Sequence, residues 1–287
     1  MPFQLSRGGG NVPAEVQRWQ YFLRKQGFDQ VGGIDADFGL NTETATKFFQ
    51  VRQGLSATGK VNEGTLAAAA SLGYTILPDD YYAKRAGAGF PAAPASLSSP
   101  TNASRNAKFT CFNFLQRPRD LRPDTEAIAQ KGSCDGTEPD WVAAHIVNID
   151  MPQLKFARGF PGKVRCHARA APVLTALFQK WERDDLLHLV ISYEGCFVPR
   201  YKRNQAPPGT GGHGLKQSKD VKELSNHSFG SAFDINFTDN QLGHVPAFCG
   251  RRGSTRELVA SANALGVFWG GHFGTQDGMH FEISKLS

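Results

Sequence analysis

Cysteines are few in this sequence and long hydrophobic runs are absent, and each shortage excludes a class of protein. The five cysteines include no C-x-x-C pair; they are Cys111, Cys134, Cys166, Cys196 and Cys249. We therefore expect neither a disulfide framework nor a cysteine-only zinc site, and the odd number leaves at least one free thiol, as in a reducing compartment. No apolar run approaches the ~20 residues that span a bilayer, so stable membrane insertion is not expected.

The sequence also lacks a targeting segment and a strong charge bias. Its first residues, MPFQLSRGGG, contain no apolar core followed by a small-residue cleavage site. We therefore predict synthesis in the cytoplasm without a signal peptide. With 32 basic and 26 acidic side chains the net charge is only +6, and no basic stripe is interleaved with aromatic residues. Nucleic acid is not an expected partner, whereas an anionic surface such as a cell wall is compatible with this charge.

Composition divides the chain into three parts. A length of 287 residues suits about two domains. The first part, residues 1–75, is periodic and apolar over 12–74, residues 76–108 are rich in Ala, Pro and Ser, and residues 109–287 mix helical and strand patterns. The middle part predicts a flexible linker. We expect an α+β protein with a small three-helix N-terminal bundle and a C-terminal α+β domain that contains an antiparallel sheet.

Apolar residues in the first part recur at helical spacing in three groups. Asn41 or Thr42 can cap the second helix, and Asn62 can cap the third. The predicted inward-facing residues are Val16, Trp19, Phe22 and Leu23, then Ala45, Phe48 and Phe49, then Leu66, Ala69 and Ala70. A plain three-helix bundle without a ligand would explain this pattern equally well.

The stretch GIDADFGLNTETATKFFQVRQGLSATGKVNEGT resembles the peptidoglycan-binding domain family of bacterial and phage cell-wall hydrolases. That family reads D-G-x-F-G-x-x-T, A-x-x-x-F-Q, G-L-x-x-x-G-x-V and T. Ala36 departs from it, because the family usually has glycine there. The matching positions are Asp35, Phe38, Gly39, Thr42, Ala45, Phe49, Gln50, Gly54, Leu55, Gly59, Val61 and Thr65. The resemblance implies a module that anchors the protein to the wall.

Two short segments of the third part alternate apolar and polar residues as half-buried strands do. In the first, Phe233, Ile235 and Phe237 share one face, so Asp234 should point away from the core. His227 lies just before this strand. In the second segment, residues 279–284, the alternation puts His280 on the polar face.

If the two strands lie side by side with their polar faces aligned, His227, Asp234 and His280 converge. Two imidazoles and one carboxylate suit Zn²⁺ and leave its fourth position open for water. Asp277, three residues before His280, is close enough to act as the general base. The alternative is an ordinary histidine–aspartate hydrogen bond in a loop at the rim.

The same residues resemble a family of zinc peptidases that cleave peptidoglycan stem peptides. The family includes D-alanyl-D-alanine carboxypeptidases and the L-alanyl-D-glutamate endopeptidases of phage lysins, and it reads S-x-H-x-x-G-x-A-x-D, then D-x-x-H. The first motif matches at Ser225, His227, Gly230, Ala232 and Asp234. The resemblance implies one zinc ion per chain, bound by His227, Asp234 and His280, with Asp277 as catalytic base.

Further site residues follow from the same resemblance. The segment FWGGHF, from Phe268 to Phe273, is similar to the W-G-G-x-W of the endopeptidase branch, with Phe273 in place of the second tryptophan. It implies that Trp269 and His272 bind substrate, together with Ser225.

The family also holds a substrate carbonyl or carboxylate with an arginine upstream of the first motif. The usual G-Y-R-S form is absent here, and Arg200 is the candidate, with Arg203 behind it. A surface arginine in a basic loop is the alternative interpretation.

Together these patterns predict a zinc-dependent murein peptidase, foremost an L-alanyl-D-glutamate endopeptidase endolysin that acts in the periplasm or on the cell wall. A D-alanyl-D-alanine carboxypeptidase is the near alternative, and a contact-delivered antibacterial effector would share the same features. A non-catalytic zinc-containing wall-binding module is the rival from another class. The expected partners are peptidoglycan and a holin or another delivery system for export, and the expected state is a monomer.

Overall fold

The structure is a computed structural model that describes residues 4–78, 81, 89–117, 127–203 and 214–286. Residues 79–80 and 82–88 of the predicted linker lie outside the described residues. The helices are α1 (Pro13–Lys25), α2 (Leu40–Arg52), α3 (Glu63–Ala70), α4 (Asn102–Phe109), α5 (Trp141–His145), α6 (Ala171–Arg183) and α7 (Val259–Ala264). The strands are β1 (Phe112–Gln116), β2 (Ile128–Ser133), β3 (Ile146–Asp150), β4 (Lys163–His167), β5 (Tyr193–Gly195), β6 (Lys216–Gln217), β7 (Ala232–Ile235), β8 (Val267–Trp269) and β9 (His280–Ile283).

These elements confirm the predicted α+β class, with helices in the N-terminal part and antiparallel sheet in the C-terminal part. Strands β2, β1 and β6 form one small sheet, β3 and β4 form a pair, and the third sheet has the order β5-β7-β9-β8. None of the helices in the described ranges is long and apolar enough to cross a membrane.

The N-terminal bundle is built around Trp19. Its ring meets Phe49 edge-on at 5.5 Å, and its Nε1 donates to Thr46 Oγ1 at 2.8 Å. The predicted cap of α3 is confirmed, because Asn62 Oδ1 accepts from Thr65 N at 3.0 Å. These contacts give the three helices a core of their own.

Two predictions for α2 are wrong. The helix begins at Leu40, after Gly39, and no side chain caps it. Thr42 lies inside the first turn, where its hydroxyl bonds the Asp37 carbonyl at 3.2 Å instead of capping the helix. Phe48 is 48% exposed, because the buried face runs through Ala45 and Phe49.

The largest sheet packs against α6 and carries the two predicted polar strands at its centre. Phe233 of β7 and Phe281 of β9 stack with ring centroids 5.4 Å apart, and Trp181 of α6 covers both. Strands β7 and β9 are antiparallel, and Asp234 pairs with His280 in the register. The apolar side of this sheet is therefore buried against α6, and the sheet positions the polar residues on its other side.

Strand β7 is shorter than predicted because the chain turns at Asn236. This residue adopts a left-handed conformation with φ of 58°, so Phe237 leaves the strand and is 40% exposed. The buried Asn236 side chain accepts from Ile191 N at 2.9 Å and donates to Leu189 O at 2.7 Å. These bonds occupy the backbone of the segment that precedes β5, residues 187–192. A 3-10 helix forms there at Leu187–Leu189, and the strand begins only at Tyr193.

Residues 89–108, predicted as part of a flexible linker, are packed against the C-terminal domain. Helix α4 begins within them and is capped by Thr101, whose Oγ1 accepts from Ser104 N at 3.2 Å. Phe90 lies against Trp269 with centroids 5.4 Å apart, and Ser98 O accepts from Ser284 Oγ at 2.7 Å. The linker prediction fails here because the amino-acid composition of a segment gives no information about a few contacts with distant residues.

Helix α1 docks the bundle directly onto the C-terminal domain. Gln17 is fully buried between them, with Nε2 donating to His188 O at 3.2 Å and Oε1 accepting from Gly253 N at 3.3 Å. Arg18 pairs with Asp185. The two parts therefore share a buried polar interface, and the bundle is not simply suspended from a tether.

The structure contains one disulfide, between Cys111 and Cys134, whose Cα atoms lie 5.3 Å apart. Pairing of β1 with β2 brings these residues together across 23 positions of sequence, which a spacing pattern does not reveal. Cys166 and Cys196 are buried thiols, in agreement with the expectation of at least one free thiol. A stable disulfide belongs to an oxidising environment, so the expected reducing compartment does not fit this pair.

Candidate metal centre

Three of the predicted side chains meet at the polar face of β7 and β9. Asp234 Oδ1 lies 2.9 Å from His280 Nδ1 and 3.1 Å from His227 Nε2. The two imidazole nitrogens are 3.2 Å apart, and all three residues are buried. We call this group the His-Asp-His cluster. It is one set of donor atoms that a single cation can contact.

Local backbone geometry brings His227 to the cluster. His227 lies in a short 3-10 helix, Asn226–Phe229, and Ser225 caps this helix through its Oγ. Gly230 then reverses the chain with φ of +62°, where an added Cβ would lie 2.6 Å from His167 N. Glycine adopts this positive φ without strain and has no Cβ to make this contact, so Gly230 sets the turn from His227 into β7.

The second nitrogen of each imidazole is already engaged by the protein. His227 Nδ1 donates to the Cys196 carbonyl at 2.9 Å, and His280 Nε2 donates to Glu282 Oε2 at 3.1 Å. Each histidine therefore directs its other nitrogen into the cluster, the arrangement common around protein-bound metals. With two nitrogens and one carboxylate oxygen, the donor set fits Zn²⁺.

Charge within the cluster favours a bound cation. Burial works against ionisation of Asp234, but His227 and His280 hold the pKa of that carboxyl well below its usual range. Burial also opposes the charged form of His280, yet the hydrogen bonds that it donates to Asp234 and Glu282 raise the pKa of that imidazole to about 10. A metal ion would displace this proton and take over the interaction with the carboxylate.

Asp277 lies beside the cluster in the loop before β9. Its Oδ1 is buried and has no hydrogen-bond partner among the described residues. Burial raises the pKa of Asp277 to about 6, opposed by the nearby His280. A carboxylate with a pKa near neutrality and a vacant hydrogen-bonding atom can accept a proton and then release it.

Arg200 is positioned next to the cluster. Its Nη2 lies 3.4 Å from Asp234 Oδ2, and its side chain is about one-quarter exposed. Two bonds hold the backbone in place, because Arg200 N donates to Ser228 Oγ at 2.8 Å and that hydroxyl donates to Arg200 O at 2.7 Å. The guanidinium can therefore face the cluster and the solvent at the same time.

Two of the residues predicted to bind substrate are placed elsewhere. Trp269 is fully buried, and its Nε1 donates to Gly278 O at 2.9 Å. It supports the loop that carries Asp277, and it is not among the residues that line the cleft. His272 bonds Pro91 O through Nε2 at 2.9 Å and holds residues 89–91 against the domain. Of the three, only Ser225 lines the cleft.

The cleft above the cluster has a volume of about 670 Å³. Its walls include residues that the motifs did not indicate, namely Ser99, Lys202, Lys222, Glu223, Leu242, Thr275 and Met279. Lys202 and Lys222, together with Arg200 and Arg203, make the rim rich in positive charge. The basic pair at 202–203 was visible in the sequence, whereas Ser99 carried no signal because it lies in the Ala/Pro/Ser-rich stretch.

Two segments of the chain match the models of known families. Residues 13–69 match the model of a peptidoglycan binding domain, and residues 219–283 match the model described as D-alanyl-D-alanine carboxypeptidase. No curated protein and no solved structure gives a significant match. The second match spans His227, Asp234, Asp277 and His280. The chain thus contains a peptidoglycan-binding domain followed by a peptidase domain of the D-alanyl-D-alanine carboxypeptidase type, the arrangement that the sequence motifs predicted.

Proposed function

We propose that the protein is a zinc-dependent peptidoglycan peptidase that binds one Zn²⁺ through His227, Asp234 and His280. The two matched domains support a cell-wall peptidase in general. The observation that carries the finer proposal is the His-Asp-His cluster, with donor atoms 2.9–3.2 Å apart, beside Asp277, whose buried Oδ1 has no hydrogen-bond partner among the described residues. A purely binding module has no need of such a carboxylate.

Each residue has a definite task in amide hydrolysis. When bound, Zn²⁺ would polarise the substrate carbonyl and lower the pKa of water. Asp277 accepts a proton from the attacking water and transfers it to the leaving amine, which a pKa of about 6 permits near neutral pH. Arg200 donates hydrogen bonds to the oxygen on which negative charge develops, or to a substrate carboxylate beside it.

The charge of the cleft supports a peptide substrate that carries carboxylates. Arg200, Lys202, Arg203 and Lys222 line the rim above the cluster. Cleavage after L-Ala would leave the D-Glu carboxylate near these cations, and we favour this endopeptidase activity. Cleavage of D-Ala–D-Ala would place a terminal carboxylate there instead. The family match by its description favours this second activity.

The proposed cellular role is that of an endolysin that acts on the wall as a monomer and reaches it with the help of a holin or another delivery system. The peptidoglycan-binding domain supports action at the wall. Its docking onto the peptidase domain through Gln17 would hold the cleft at a fixed distance from the bound glycan.

Mass spectrometry of purified peptidoglycan digested with the zinc-loaded protein tests the proposal. New N-terminal D-Glu identifies the endopeptidase, and free D-Ala identifies the carboxypeptidase. The matched control is the same digestion with His280→Ala, which removes one ligand. If the zinc-loaded protein releases neither product from walls of several stem-peptide types, the peptidase assignment is wrong.

A further inference from the structure

A row of buried side chains runs behind the His-Asp-His cluster and ends at a charged residue of α4. Glu282 Oε2 accepts from His280 Nε2 at 3.1 Å and also from Asn226 Nδ2. Asn226 Oδ1 in turn faces Arg105 Nη1 at 3.4 Å. None of these four residues is more than 8% exposed. The row connects a helix in the predicted linker to the imidazole that would bind zinc.

Arg105 also holds the backbone that leads into the cluster. Its Nη1 donates to Leu224 O at 2.6 Å, and its Nη2 bonds Val221 O at 3.4 Å. The guanidinium lies 4.4 Å from the centre of the Phe229 ring. One side chain thus contacts the segment on both sides of His227, as well as Asn226.

The direction of the hydrogen bonds gives this arrangement a chemical consequence. A guanidinium can only donate, so Arg105 can bond only the carbonyl oxygen of the Asn226 amide. The amide NH₂ must then face Glu282, which leaves Glu282 as an acceptor for His280 Nε2. Because Glu282 keeps the proton on Nε2, the Nδ1 proton is the one that a metal ion would displace, and the Nδ1 lone pair would then point into the cluster.

We propose that Arg105 is a positioning residue for the metal centre, which acts through Asn226 and Glu282 to hold His280 Nδ1 ready for zinc. This inference rests on the zinc site of the proposed function. Arg105 lies outside both matched domains, and in this proposal it helps to determine how tightly the metal binds.

The test compares two buried arginines of the same domain. Arg105→Met removes the donor to Asn226 and leaves an apolar chain of similar length. The control is Arg256→Met, because Arg256 is also buried, bonds one backbone carbonyl at 2.8 Å and lies 4.4 Å from the centre of a phenylalanine ring. Both variants lose a packed guanidinium, but only one of them loses the contact with Asn226.

The readouts are zinc affinity, from competition with a chromogenic chelator, and the visible absorption spectrum of the Co²⁺-substituted full-length protein. We expect Arg105→Met to weaken zinc binding by about 10-fold or more, as changes around metal ligands usually do, and to alter the Co²⁺ bands. Arg256→Met should stay within about twofold of the wild type. Glu282→Gln, which keeps the shape of the side chain, should weaken zinc binding at least as much as Arg105→Met.

Three results would overturn the inference. The first is a folded Arg105→Met variant that binds zinc as tightly as the wild type. The second is an equal loss of zinc affinity in both arginine variants, which would indicate general destabilisation. If Arg105→Met does not fold, Asn226→Ala breaks the same row, and unchanged affinity there is equally decisive. A wild-type protein that binds no zinc would instead refute the metal centre itself, and the inference would fall with it.

Discussion

At the scale of single residues, Asp277 has a buried Oδ1 with no hydrogen-bond partner among the described residues, which is costly in a folded protein unless function requires it. Its side chain supports no other described residue through Oδ1. Removing the carboxylate should therefore affect chemistry far more than folding. This separates Asp277 from the three proposed ligands, whose loss would also remove the metal.

Asp277→Ala should retain zinc but lose at least about two orders of magnitude in turnover, because the general base is gone. Turnover is measured on a soluble stem peptide, and zinc content by atomic absorption. The control is Asp239→Ala, since Asp239 is an acid outside the cleft lining that pairs with Arg252 at 3.2 Å. Undiminished lysis by zinc-loaded Asp277→Ala would contradict the mechanism.

A second residue-scale prediction concerns pH and His167. Burial lowers the pKa of His167 to about 4, and the neighbouring His145 and Arg169 add to the effect. The unfolded chain binds this proton below pH ~6.5 but the folded protein does not, so the free energy of unfolding falls as the pH drops from ~6.5 towards 4.

His167→Asn removes the titrating group and can keep an acceptor for Arg169 N, which now bonds His167 Nδ1 at 3.0 Å. Between pH 6.5 and 5 the variant should lose about 2 kcal/mol less stability than the wild type. Urea unfolding at the two pH values measures this difference. If the wild type and the variant lose the same free energy of unfolding between the two pH values, His167 does not titrate as described.

At the scale of elements, the turn between the 3-10 helix Asn226–Phe229 and β7 is the most constrained feature of the site. An alanine at position 230 would need φ of +62° and would bring its Cβ within 2.6 Å of His167 N. Strand β4 would have to move, and with it the turn that carries His227.

Gly230→Ala should therefore lower the free energy of unfolding by more than the ~1–3 kcal/mol of backbone strain alone and should weaken zinc binding. Gly243→Ala is the matched control, because its φ is +83° but the nearest atom to an added Cβ lies 4.0 Å away. Thermal unfolding and chelator competition check both variants. Equal behaviour of the two would mean that the close contact with β4 is unimportant.

The strands of the site show where a sequence pattern is sufficient to predict an element. Alternation over 279–284 depends only on neighbouring residues, and β9 forms there as predicted, with His280 opposite Asp234. The pattern over 232–237 failed at its end because Asn236 bonds Ile191 N and Leu189 O, more than 40 positions away. A local period cannot reveal such a distant partner.

At the scale of the whole molecule, the bundle and the peptidase domain are joined by α1. Ala14 is fully buried within the peptidase core, and its backbone N donates to Gly250 O at 3.1 Å. Deleting residues 12–74 would therefore expose the surface that α1 covers, so a deletion cannot separate wall binding from stability. A point substitution at the interface is the sharper probe.

Ala14→Arg should separate the two parts, because a charged side chain cannot be accommodated at a fully buried position without a partner. We expect the unfolding midpoint to fall by at least about 4 °C, the shift for a loss of about 2 kcal/mol at this size, and the radius of gyration to rise. Calorimetry and small-angle scattering measure the two. Asn41→Arg, on the exposed surface of α2, is the control, and identical results for both would refute the docking.

From the sequence by itself came the features that depend on neighbours in the chain: the two domain motifs and the alternation that puts Asp234 and His280 on polar faces. Tertiary structure alone decided which residues surround them. It buried Trp269 under the Gly278 loop, turned His272 towards Pro91 and brought Arg105 behind the cluster. The physical reason is that buried hydrogen bonds between distant segments satisfy polar groups without leaving a periodic signal in the sequence.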